Sequence, residues 1–143
     1  MTCVKTIFIY SDKNSYDKIA EYKKVLEKHN FRIETLQNNV KESSDYCEKL
    51  SREELRLKTY RLIRNCDITY ILLDNNIDSD NINTDKRIVK HKTYVKRSII
   101  DVISYAYTCN KELLTSRSIR NKCVRELVSG VMNLEQLAGY NTT

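Results

Sequence analysis

A small Rossmann-like α/β domain, with a parallel sheet of four or five strands flanked by helices, is the fold class the sequence predicts, on three observations. Runs of β-branched and aromatic residues alternate along the chain with stripes of helical period, the order expected of a parallel sheet crossed by helices. One run, Ile68 to Leu73, is apolar throughout, as a central strand buried on both faces must be. The 143 residues are enough for one hydrophobic core and leave no room for a second.

The first strand is Val4 to Tyr10, V-K-T-I-F-I-Y, and the polar Ser11 to Asn14 turns it. From Ser15, the positions Ile19, Tyr22, Val25, Leu26 and His29 form a helical stripe ending near Asn30, with Asp17 in the first turn where the helix dipole favours it. Phe31, Ile33 and Thr35 alternate with Arg32 and Glu34, the pattern of a strand with one face partly exposed. Residues 37 to 50 are polar and aperiodic and read as a loop with room for a short helix. Ser51-Arg52-Glu53-Glu54 is a capping box opening a second helix, whose apolar face is Leu55, Thr59, Leu62, Ile63 and Cys66 and which Asp67 breaks. The central strand follows. Residues 74 to 97 form a polar and basic surface insertion, first rich in Asn and Asp, then carrying Lys86, Arg87, Lys90, Lys92, Lys96 and Arg97. Ser98 with Asp101 caps a third helix with the stripe Ile99, Val102, Ile103, Ala106 and Tyr107; Glu112 to Thr115 is a fourth strand. Ile119, Cys123, Leu127, Val128, Val131 and Leu134 predict one last amphipathic helix.

Composition narrows the functions. No stretch approaches the roughly 20 apolar residues that span a bilayer, and residues 1 to 10 alternate like a strand rather than a signal segment, so no membrane association is expected. The five cysteines are scattered without a C-x-x-C pair; Cys66, Cys109 and Cys123 have apolar neighbours and read as small core residues in a reducing, cytoplasmic compartment. With only two glycines, Gly130 and Gly139, and no proline, glycine-rich dinucleotide and P-loop phosphate cradles are excluded, and turns fall to Asn, Asp and Ser. The aspartates from Asp74 to Asp85 lack the glycine and glutamate of a calcium loop, and His29 and His91 have no visible partner, so neither metal nor cofactor is implied. The net charge of +6 attracts anions in general, and the basic run with Tyr94 in it is the stretch that could contact phosphates or a base.

Four segments resemble the nucleoside 2-deoxyribosyltransferase-like superfamily, which includes nucleotide N-glycoside hydrolases, over roughly residues 4 to 115. Ile7-Phe8-Ile9-Tyr10-Ser11 is similar to its first strand of the type I-Y-L-A-G, Ile63 to Asp67 to a helix ending in C-D, and Leu73-Asp74-Asn75 to a strand closing in L-D-G. Tyr94 to Ala106 resembles its segment Y-I-G-R-S-T-x-x-E-I-x-Y-A. The resemblance implies a nucleoside or nucleotide ligand, with Tyr10, Ser11, Asp74, Tyr94 and Ser98 as contacts and Asp74 also placed to handle protons. It further implies a glutamate nucleophile that attacks the anomeric carbon through an oxocarbenium-like transition state. Val102 occupies that position and cannot attack. Asp101, one residue earlier, is the remaining candidate, rotated by about 100° on a helix.

Three readings stay open at this point. One is a nucleoside- or nucleotide-binding domain that is weakly active or a pseudoenzyme; another is an N-glycosidase working through Asp101. The third is a noncatalytic interaction protein whose 86–97 segment meets nucleic acid or a protein partner. Nucleic-acid binding is expected to be weak, and a homo-oligomer is compatible with each.

Overall fold

The computed structural model describes residues 4–11, 16–36, 51–73, 92–93 and 97–140. Strands β1 (Thr6–Ser11), β2 (Arg32–Glu34) and β3 (Ile68–Leu72) alternate with helices α1 (Tyr16–Lys28) and α2 (Arg52–Asn65). After β4 (Lys92–Thr93) come α3 (Arg97–Thr108), β5 (Glu112–Thr115), β6 (Ser118–Ile119), α4 (Lys122–Arg125), β7 (Gly130–Val131) and α5 (Leu134–Ala138). The main sheet has five strands in the order β2-β1-β3-β5-β7, and every pairing is parallel. β3 lies at its centre with all five residues buried, as its unbroken apolarity requires. β4 and β6 pair separately.

The two-residue period of the strands sorts side chains into two cores. Phe8, Ile71, Leu73 and Leu113 face Ile63 of α2 and Ile99, Val102, Ile103 and Ala106 of α3. On the other face Ile7, Ile9, Tyr70, Leu72 and Leu114 meet Ile19 and Leu26 of α1 and Leu137 of α5. The result is three layers, with a helix layer on each side of the sheet.

Local chemistry explains the helix ends. Ser51 Oγ accepts from the Glu54 amide and Glu54 Oε1 accepts from the Ser51 amide, so the capping box forms as its residues predict. After α1 and α3 the chain turns at Asn30 (φ 68°) and Asn110 (φ 59°), left-handed positions that usually take glycine. In both, the next amide bonds back to the last turn, Phe31 to Leu26 and Lys111 to Ala106. Asparagine does here what glycine does elsewhere.

Four expectations fail. The last stretch is not one helix but β6, α4, β7 and α5, because Asn121 and Asn133 each cap a new short helix and Gly130 pairs with Leu114 as an added strand. Tyr107 is exposed on α3, and Cys123 is exposed and Cys109 only half-buried, so of these cysteines Cys66 alone lies in the core. Arg97 belongs to α3 rather than to a loop.

Candidate functional site

In a parallel sheet all carboxyl ends lie on one edge, and ligands enter where neighbouring strands send their connections to opposite faces. That point here is between β1 and β3. β1 leads to α1 on one face, whereas α2 and α3 cover the other. A cleft of about 660 Å³ opens there, lined by Tyr10 near the end of β1, by Arg52, Arg56, Thr59 and Tyr60 of α2, and by Arg97, Ser98, Asp101 and Val102 of α3. Helices in such a sheet run back against the strands, so the first turns of α2 and α3 frame the opening.

The cleft brings together five residues marked in the sequence: Tyr10, Arg97, Ser98, Asp101 and Val102. Ser11 ends β1 beside Leu72, is buried, and does not line the cleft. Asp74 and Tyr94 lie outside the described residues, as do Lys86, Arg87, Lys90 and Lys96 of the basic run.

Ser98 and Asp101 do not form the expected cap. α3 already begins at Arg97, which puts Ser98 inside the helix, and Asp101 turns to α2 instead. Its Oδ2 accepts from Arg56 Nη2 at 2.9 Å. Val102, one position on, is 3% exposed and packs in the core beneath the cleft. A full helical step therefore separates a carboxylate held at the rim from an apolar side chain at the base.

Further ties hold α2 and α3 together. Tyr60 stacks on Tyr105 with ring centroids 3.9 Å apart and planes 7° from parallel, and Arg64 Nη1 donates to the Tyr105 hydroxyl at 2.7 Å. Tyr10 sits 6.1 Å from Phe8, ring to ring. Arg52, Arg56 and Tyr60 were missed in the sequence, although their spacing of four residues puts them on one helix face, beside the stripe that makes the core.

Similarity to solved structures is confined to shape. No protein-family profile matches the sequence, and no curated protein does. The CMP N-glycosidase BcmB of Clostridium botulinum superposes with a TM-score of 0.59 at 13% identity, covering 95% of this chain and 97% of that one. The 2-deoxyribosyltransferase of Bacillus psychrosaccharolyticus gives 0.58 at 14% identity, with 94% and 91% covered. The fold is deoxyribosyltransferase-like. Within this deoxyribosyltransferase-like fold, no described helix is long and apolar enough to cross a membrane, and no group of three or more His, Cys, Asp or Glu among the described residues is placed to hold a metal ion.

Proposed function

We propose that the cleft is a nucleoside or nucleotide site and that the protein binds such ligands with little or no cleavage of the N-glycosidic bond. The observation that carries this reading is Val102. It stands in the segment resembling the family's nucleophile segment and lies at the base of the cleft, where a methyl-bearing side chain can pack against a sugar but cannot attack its anomeric carbon. The solved neighbours support the ligand class, since one is a CMP N-glycosidase and the other a 2-deoxyribosyltransferase.

In this reading Tyr10 and Tyr60 supply aromatic walls for base and sugar. Ser98 offers a hydroxyl from the first turn of α3, and Ser11, Asp74 and Tyr94 remain proposed contacts. Asp101 is within the cleft, yet it stands one residue before the nucleophile position, at the rim rather than the base, and its side chain is shorter than glutamate by a methylene. Chromatographic detection of free base after incubation with deoxynucleosides and deoxynucleotides tests the catalytic half. Little or no release is expected. Clear turnover that Asp101→Asn abolishes would make the protein an N-glycosidase working through Asp101.

A further inference from the structure

Among the described residues the charges of the cleft do not balance: its walls carry three guanidiniums, Arg52, Arg56 and Arg97, against two carboxylates, Glu53 and Asp101. Among the described residues only Arg56 has an ion-pair partner in the cleft, and it gives Asp101 one hydrogen bond, from Nη2. A guanidinium has five N–H donors in a rigid fork that fits a phosphate through two parallel bonds. The Arg56–Asp101 pair is 61% and 44% exposed, and pairs that wet are among the weakest. At the start of α2 the capping box already uses the Glu54 amide, one of the helix's free N-terminal donors.

Resting on the nucleotide reading above, we propose that Arg56 is the residue that selects a phosphate-bearing ligand, with Asp101 as its resting counter-ion. The phosphate of a nucleoside 5′-monophosphate takes the Arg56 fork and displaces the Asp101 carboxylate into solvent, while Arg52 and Arg97 supply the surrounding positive field. Asp101 then acts as an internal competitor that keeps Arg56 neutralised in the empty cleft. No bond is made or broken in this exchange.

Calorimetric titration of each common nucleoside 5′-monophosphate and its parent nucleoside into the full chain tests the exchange. The monophosphate is expected to bind roughly tenfold or more tightly than its nucleoside, the range of a charge-assisted hydrogen bond. Arg56→Gln should remove about tenfold of monophosphate affinity and leave nucleoside affinity within about twofold, with Arg56→Lys recovering part of the loss. Asp101→Asn should raise monophosphate affinity a few fold, an effect that a purely structural clip between α2 and α3 would not produce. Arg56 is exposed and Asp101 half-buried, so thermal melts should confirm folded variants. Equal loss for nucleoside and monophosphate in Arg56→Gln, or weaker monophosphate binding in Asp101→Asn, overturns the exchange and leaves the nucleoside site standing. Binding of neither ligand class removes both.

Discussion

Residues 101 and 102 are adjacent in the chain but face different surroundings. Asp101 is paired at the rim and Val102 packed at the base, so the helical step rather than sequence proximity decides what each can do. The same logic applies to polar groups inside the sheet. Thr69 is fully buried between Phe8 and Leu113, and its hydroxyl has no hydrogen-bond partner. Thr69→Val should therefore stabilise the protein by about 1 kcal/mol, because it removes a desolvated hydroxyl and keeps the branched shape; an unchanged or lower urea midpoint would show that the hydroxyl is satisfied. Cys66 is a second buried group, and burial, aided by nearby Glu34 and Asp67, pushes its thiol up to about 12 from an ordinary 9.0. The unfolded thiol loses its proton first, so the contribution of Cys66 to stability is level below pH 9 and falls from there toward about 12. Burial raises the Tyr70 phenol as well, which steepens the decline at the alkaline end. Urea midpoints at about pH 8 and about pH 10.5 should show the drop, and Cys66→Ala should shrink it.

Helices α2 and α3 are the elements on which the cleft depends, and each is fixed differently. The start of α2 rests on Ser51 and Glu54. The hydrogen bonds from Ser51 hold the Glu54 carboxyl below its ordinary value of 4.5, so the stabilisation is present at neutral pH and is lost as pH falls through the carboxylate range. Ser51→Ala should cost about 1 kcal/mol, and the difference from the parent protein should narrow in acid; a difference independent of pH would contradict a working capping box. This end was legible because Ser-x-x-Glu is a local signal needing no tertiary information. The start of α3 was misplaced by two residues because Ser98 and Asp101 imitate the same signal, while the contact that uses Asp101 comes from Arg56, 45 residues away. The carboxyl-terminal stretch was misread for a related reason. Its apolar residues keep a helical spacing, but pairing of Gly130 and Val131 with β5 outweighs that local preference.

At the scale of the molecule, the sheet order decides where the cleft lies. The alternation of elements and the buried β3 were visible in the sequence, and with them the edge on which Tyr10 and the first turns of α2 and α3 meet. The cationic wall was not visible, because it needs the packing of α2 against α3. The overall charge of +6 predicts weak, non-specific oligonucleotide binding that falls steeply with salt, since every neutralised phosphate releases a counterion. A mononucleotide with one phosphate in the cleft should respond far less. Tight, sequence-selective oligonucleotide binding near physiological salt, lost on changing Lys90, Lys92 and Lys96 to Ala, would favour the interaction-protein reading instead. The most direct test of the nucleotide site is a two-dimensional amide NMR titration with nucleoside 5′-monophosphates. The site predicts saturable shifts centred on Tyr10, Arg56, Tyr60, Ser98 and Val102; shifts confined to residues away from these five, or none at all, would contradict it.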